Sequence, residues 1–167
     1  MNATLRRWAP SPYRLRILHE LGILLVIRAL ITLILTKRSL RRTGFTATVG
    51  RMGLASALTL DPARVPGTAP SPAATNVVRA VHLLGPRSGA TCLPQSLAAA
   101  RLLARIDITA QVRIGVASLE PGQPLNAHAW VEVDGVVVGE FPLASFHPFD
   151  AERMGKAITT LTTRAAP

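Results

Sequence analysis

The N-terminal third of the chain is dominated by one long apolar stretch. Residues 13–36, YRLRILHELGILLVIRALITLILT, carry few charges, and a membrane-spanning helix needs about 20 mostly apolar residues. Arg28 interrupts the stretch, and an arginine near the middle of a bilayer costs at least ~2.5 kcal/mol. We therefore expect a helix buried against a partner protein or the rest of the chain. Shallow membrane contact through residues 13–42 is the second alternative, and a true span is the third.

The middle of the chain is predicted to separate two parts. Basic residues, KRSLRR, follow the apolar stretch and suit a helix C-terminus, and a weaker helical pattern covers residues 43–60. Residues 61–74 contain Pro62, Pro66, Pro70 and Pro72, and proline breaks helices. The pattern predicts a basic helical segment over 1–60 that docks a partner or a membrane, a linker over 61–74, a folded domain over 75–150 and a tail over 151–167.

Residues 75–150 show two helical patterns followed by strand patterns. Apolar spacing predicts a helix over 75–85 that ends at Gly85 and Pro86, with His82 as a packing residue. A second helix is predicted over 92–105, with Thr91 as N-cap and Pro94 in its first turn. Residues 111–119 alternate as a strand, and HAWVEV and VVVGEF form a hairpin around Asp134 and Gly135. This order predicts an α+β fold.

Charge and composition narrow the classes of partner and site. The formal net charge is +10, and residues 1–51 contribute +9 of it, from ten Arg or Lys and one acidic residue, Glu20. Such a segment suits an acidic partner or an anionic membrane; no nucleic-acid reader motif accompanies it. A single cysteine excludes an internal disulfide and fits the cytoplasm. Scattered histidines predict no metal site, and no cofactor motif is present.

Cys92 and His128 are the candidate catalytic pair. A thiol attacks as its thiolate, whose formation is favoured by the positive end of a helix and by a neighbouring histidine. Cys92 stands at a predicted helix start, and His128 begins a predicted strand behind a loop. An acid must orient the imidazole. A three-residue hairpin loop would place Glu140 opposite His128, whereas a two-residue turn would place Phe141 there instead.

Other side chains near these motifs have less direct interpretations. Asp134 is expected to be a turn residue, Glu132 a solvent-facing acid, and Gln95 a residue on the helix surface rather than an oxyanion donor. On spacing alone, a lone cysteine or histidine more often packs in a core than performs chemistry.

Two blocks add a family resemblance. TCLPQSLAAARLLARIDITAQVRIGV and AHAWVEVDGVVVGE resemble the leader peptidases of lasso-peptide biosynthesis, which belong to the transglutaminase-like branch of papain-fold cysteine proteases. The resemblance covers residues 77–141. It implies that Cys92 is the nucleophile and His128 the general base. The family's third member is usually Asp on the following strand, and here that position is Glu140.

The resemblance also implies a pathway and a set of partners. A leader peptidase cuts the leader from a ribosomally made precursor, and a separate ATP-using, asparagine-synthetase-like cyclase then closes the ring. The first 60 residues leave no room for a leader-recognition domain, so the chain resembles the stand-alone peptidase that needs a separate recognition protein. The alternatives are a transglutaminase-like acyltransferase and a non-catalytic adaptor that binds a partner or a membrane.

Overall fold

Helices and an antiparallel sheet make up the parts of the chain that the structure describes. A computed structural model describes residues 22–58, 69–117, 127–139 and 146–148. Within these ranges, the helices are α1 (Ile23–Met52), α2 (Pro72–Ser88) and α3 (Cys92–Ala104), with a 3₁₀ turn at Ser56–Leu58. The strands are β1 (Ala110–Ala117), β2 (Ala127–Val133), β3 (Val136–Val137) and β4 (Phe146–Pro148), in the spatial order β3-β2-β1-β4. The predicted α+β fold class is confirmed.

Helix α1 joins what the sequence predicts as two helices. It continues through the basic residues 37–42, and the backbone at Gly44 leaves helical geometry, with φ 75° and ψ −178°, before helix resumes. Glycine adopts positive φ without steric cost, which allows the kink. The prediction that α1 ends at the basic residues is therefore wrong, because the helix continues through residues 37–42. No helix in the described ranges is long and apolar enough to cross a membrane.

One side of α1 packs against the other helices. Ala29 and Leu33 are fully buried and share one core with residues of α2 and α3, such as Val81 and Leu97. At the C-terminus of α1, Arg101 of α3 donates a hydrogen bond of 2.6 Å to the Met52 carbonyl, which satisfies one of the carbonyls left open at a helix end. The N-terminal helix is thus part of the main core. Residues 61–68 of the predicted linker, 61–74, lie outside the described ranges, and the helix that follows already begins at Pro72. The proposed domain limits stay a prediction.

Helix α2 is longer than the sequence pattern predicts. It begins at Pro72, where the Ser71 hydroxyl accepts a hydrogen bond from the Ala74 N–H, because proline fits a first turn. It continues past Gly85 and Pro86 and ends at Gly89, which has φ 61°. The predicted end at Gly85 is wrong because Gly89, rather than Gly85, supplies the left-handed cap.

The two faces of the sheet differ in what they contact. In the β1–β2 pair, Val112 lies opposite Val131 and Ala110 opposite Val133, and all four join the helical core. The alternate positions of β2, beginning with His128, therefore lie on the other face. Helix α3 contacts both strands, so the sheet packs directly on the helix that begins at Cys92.

Candidate active site

Cys92 is the first residue of α3. Thr91 precedes it in an extended conformation, as an N-cap residue should, but its side chain makes no capping hydrogen bond. The first intrahelical bond runs from the Gln95 N–H to the Thr91 carbonyl, so the N–H groups of Cys92 and Leu93 have no helical carbonyl to donate to. Cys92 itself is partly exposed and forms no disulfide. The thiol therefore lies where helix N–H groups could stabilise a negative charge.

The register of the sheet brings His128 to the same end of the molecule as Cys92. Residues 105–109 connect α3 to β1, and the two elements pack against each other, so the chain turns back after α3. From Ala104 back to Cys92 the helix rises about 18 Å, and from Ala110 to Gly115 the strand advances about 17 Å. His128 lies opposite Gly115. These lengths place Cys92 and the backbone of His128 at one end of the helix–sheet layer, with His128 at a β2 position alternate to the core residues Val131 and Val133.

The imidazole of His128 is partly buried and lies beside an aromatic ring. Its centroid is 6.4 Å from that of the Trp130 ring, with 14° between the planes, and its Nε2 atom is buried. Burial lowers the pKa of His128 below its usual value, because the charged form loses hydration. At neutral pH the ring is therefore neutral and able to accept a proton.

His82 of α2 lies within electrostatic reach of His128. The pKa of His82 is lowered, first by burial and then by the nearby imidazole of His128, since two positive charges would repel each other. The sequence predicts His82 as a packing residue, and its partial burial agrees with that. Its proximity to His128 was not predicted, because no spacing in the sequence relates α2 to β2.

Glu132 binds two side chains on the sheet face that carries Trp130. Its Oε2 accepts a hydrogen bond of 2.9 Å from Arg113 Nε, and its Oε1 accepts one of 2.9 Å from Trp130 Nε1. The side chains of Arg113 and Glu132 are 17% and 14% exposed. The prediction of a solvent-facing acid is therefore wrong, because Arg113 on the neighbouring strand lies diagonally within reach. The network fixes the indole that stacks beside His128.

Of the two predicted hairpin geometries, the structure has the two-residue turn. Val133 pairs with Val136 and Glu132 with Val137, and Asp134 and Gly135 have φ of 51° and 76°, as in a type I′ turn. Asp134 is thus a turn residue, as predicted. This register removes the argument that placed Glu140 opposite His128. Glu140 itself lies outside the described residues, and its assignment stays a prediction.

Gln95 is partly buried and folds back toward the start of its helix. Its Nε2 donates a hydrogen bond of 2.7 Å to the Ala90 carbonyl. The prediction that it lies on the helix surface is wrong, because Gly85 of α2 leaves space for its amide. Among the described residues, no cluster of His, Cys, Asp and Glu could hold a metal ion.

A cavity of about 400 Å³ lies away from Cys92. It is lined in part by Ser71, Thr109, Val133 and Asp134, at the far end of β2 from His128. The cavity therefore does not include Cys92 or His128, the candidate catalytic pair.

The comparison with protein families decides the superfamily. A family model described as the Transglutaminase-like superfamily matches residues 34–150, more than half of the chain. The chain belongs to the transglutaminase-like superfamily. Comparisons with curated proteins and with solved structures give no match.

Membership of this superfamily supports a papain-like cysteine peptidase or acyltransferase kind of function. The match includes most of α1 as well as Cys92 and His128, so the transglutaminase-like region extends across the proline-rich stretch toward the N-terminus. The predicted superfamily is therefore confirmed, whereas the individual roles of Cys92, His128 and Glu140 stay predictions.

Proposed function

We propose that the protein is a cysteine peptidase that removes the leader from a lasso-peptide precursor. The observation that carries the proposal is the position of Cys92, at the start of α3 and at the same end of the helix–sheet layer as His128. Superfamily membership supports thiol chemistry on this scaffold. The resemblance of the cysteine and histidine blocks to lasso leader peptidases narrows the substrate to a leader–core junction.

In the proposed reaction, His128 accepts the thiol proton as the sulfur attacks the scissile carbonyl. The lowered pKa of His128 suits this role, because a neutral imidazole accepts the proton during attack. The oxyanion forms beside the N–H of Cys92. Collapse of the intermediate breaks the peptide bond, and His128 returns the proton to the amine of the core. Water then hydrolyses the thioester and releases the leader carboxylate.

The decisive experiment compares cleavage by the parent chain and by Cys92→Ala. The purified protein is incubated with the precursor and the recognition protein encoded by neighbouring reading frames, and the products are weighed by mass spectrometry. We expect the parent to give leader and core as hydrolysis products, and Cys92→Ala to leave the precursor intact. Arg79→Gln, at an exposed position of α2, serves as a matched control and should cleave like the parent.

Other outcomes would support a different function. A product in which the leader carbonyl is joined to an added amine would indicate an acyltransferase. Cleavage that survives Cys92→Ala would reject the assignment. Absence of cleavage, together with alkylation of Cys92 by iodoacetamide no faster than that of a free model thiol, would favour an adaptor.

We further propose that the apolar face of α1 docks the recognition protein. This face is the set of large aliphatic side chains that remain 37–74% exposed on one side of the helix: Ile23, Leu24, Ile27, Leu30, Ile31, Ile34 and Leu35. Arg38 and Arg42 continue the same side and are also exposed. An aliphatic patch beside cations suits a protein surface that is apolar with an acidic border. The precursor and the cyclase would complete the assembly.

Binding to the purified recognition protein tests this docking. We expect the double variant Ile27→Ser/Ile31→Ser to lose binding, whereas Ile106→Ser, at a 44% exposed site outside the apolar face, should bind like the parent. Binding should also weaken as salt is raised. Equal binding by the parent and the double variant would reject the site. Binding of the parent to anionic vesicles, but not to the recognition protein, would show that the face meets a membrane instead.

A further inference from the structure

Cys92 follows a short connector that turns α2 into α3. The connector comprises residues 89–91. Gly89 has φ 61°, its N–H donates to the Pro86 carbonyl, and the next N–H, that of Ala90, donates to the Gly85 carbonyl at 3.0 Å. These bonds end α2, but they leave the Ser88 and Ala90 carbonyls to be held by side chains.

Gln95 holds the Ala90 carbonyl from within α3. Its Nε2 lies 2.7 Å from that oxygen, so a side chain one turn after the thiol fixes a peptide group two residues before it. Gly85 makes this possible, because a Cβ added there would overlap the Gln95 amide. The amide is thus enclosed between α2 and the connector.

Lys37 holds the Ser88 carbonyl from α1. Its Nζ donates a hydrogen bond of 2.6 Å to that oxygen, and a Cβ on Gly89 would lie 3.0 Å from the same nitrogen. The positive charge also stands at the C-terminus of α2, where it is favourable. Two side chains from two different helices therefore converge on the connector before Cys92.

We propose that Gln95 and Lys37 are positioning residues that fix the direction of the Cys92 thiol and backbone N–H. The peptide groups at Ser88 and Ala90 determine where the chain enters α3. Releasing either carbonyl would let the connector rotate and would move the sulfur relative to the substrate carbonyl. Misplacement of a reacting group by about 1 Å can cost roughly 100-fold in rate. The inference about catalysis rests on the proposed peptidase function, whereas the inference about the connector does not.

The test uses variants that remove the Gln95–Ala90 or the Lys37–Ser88 hydrogen bond in different ways. Gln95→Met and Lys37→Met keep the side-chain length but remove the donors, and Gly85→Ala displaces the Gln95 amide. Lys37→Arg retains a donor, and Arg79→Gln, which removes an exposed charge of α2 away from the connector, is the control. We expect kcat to fall about 10- to 100-fold in the first three variants with KM changed less than twofold. Lys37→Arg should recover much of the activity, and Arg79→Gln should match the parent.

A second measurement does not depend on peptidase activity. Deuterium uptake by the backbone of residues 86–95 should rise in Gln95→Met, Lys37→Met and Gly85→Ala and stay at the parental level in Arg79→Gln. Parental uptake in all three variants would overturn the proposal, as would parental kcat or a kcat loss that only matches the loss of folded protein. If the parent cleaves nothing, the peptidase assignment fails, and deuterium uptake with the iodoacetamide rate at Cys92 still decides whether the connector is held as proposed.

Discussion

The indole ring of Trp130 lies nearly parallel to the imidazole of His128, with 6.4 Å between their centroids. Trp130 is almost completely buried, and its own orientation is set by the hydrogen bond from Nε1 to Glu132. The side-chain direction of His128 therefore depends in part on an acid four residues further along the strand. This dependence of His128 on Glu132 holds whether or not Glu140 completes a catalytic triad.

Loss of the Glu132 carboxylate should destabilise the sheet. We expect Glu132→Ala to lower the free energy of unfolding by about 2 kcal/mol, because Arg113 and the Trp130 N–H would each lose a partner in a largely buried site. Glu132→Gln should cost less, since one acceptor oxygen remains. Chemical denaturation checks both values.

Arg79→Gln is a suitable control for that measurement. Arg79 is exposed on α2, and its replacement should change the free energy of unfolding by less than ~0.5 kcal/mol. If Glu132→Ala were as stable as this control, the ion pair with Arg113 would contribute nothing to the fold in solution.

The stability of the protein should fall in mild acid. The pKa values of His82 and His128 are lowered in the folded state from a reference of 6.5, so the unfolded chain binds protons more readily. Stability from these groups is complete above pH 6.5 and is lost as the pH falls below it. Unfolding monitored by circular dichroism near pH 7.5 and pH 5 should show the decrease.

Replacement of His82 separates its contribution from that of other groups. We expect His82→Leu to show a smaller loss of stability between the same two pH values than the parent shows. An unchanged pH dependence in this variant would mean that His82 is protonated equally easily in the folded and unfolded chains.

Core and exposed positions of α1 should respond differently to truncation. Leu33 is fully buried, whereas Ile31 is 52% exposed. We expect Leu33→Ala to lower the free energy of unfolding by about 2–5 kcal/mol, because it leaves a cavity among three helices, and Ile31→Ala to change it by less than ~0.5 kcal/mol. Similar values for the two variants in urea unfolding would contradict the burial of α1 in the main core.

Glu140 can be tested directly by kinetics. If it orients His128, Glu140→Gln should lower kcat by up to about 10⁴-fold, as loss of the orienting acid does in other triads, while Glu140→Asp retains a carboxylate and should lose less. The comparison is made with the precursor cleavage assay. Parental kcat in Glu140→Gln would transfer the orienting role to another group.

The sequence alone predicts those parts of the fold that depend on local rules. The start of α3 at Cys92 follows from its flanking Thr91 and Pro94, and the hairpin follows from Asp134 and Gly135, whose conformations suit a tight turn. The superfamily also follows from the cysteine and histidine blocks, because these combine residue identity with their positions on a helix and a strand.

The contacts around the candidate site could not be predicted, because they join elements far apart in the chain. Lys37 and Ser88 are separated by 51 residues, and Arg113 and Glu132 by 19. The predicted end of α2 at Gly85 is wrong for a related reason. Gly85 gives room to the Gln95 amide packed against it and does not end the helix. Only the packed structure distinguishes these two uses of glycine.

The bond between Lys37 and Ser88 limits how the gene could be rearranged. A recombination event in the proline-rich stretch would join residues 69–167 to a foreign N-terminal segment. The new protein would contain Cys92 but would lack the Lys37 ammonium group that binds the Ser88 carbonyl. Leu97, fully buried here, would also lose part of its covering. Fusions or domain swaps of this scaffold should therefore succeed only at boundaries that keep α1 together with α2 and α3.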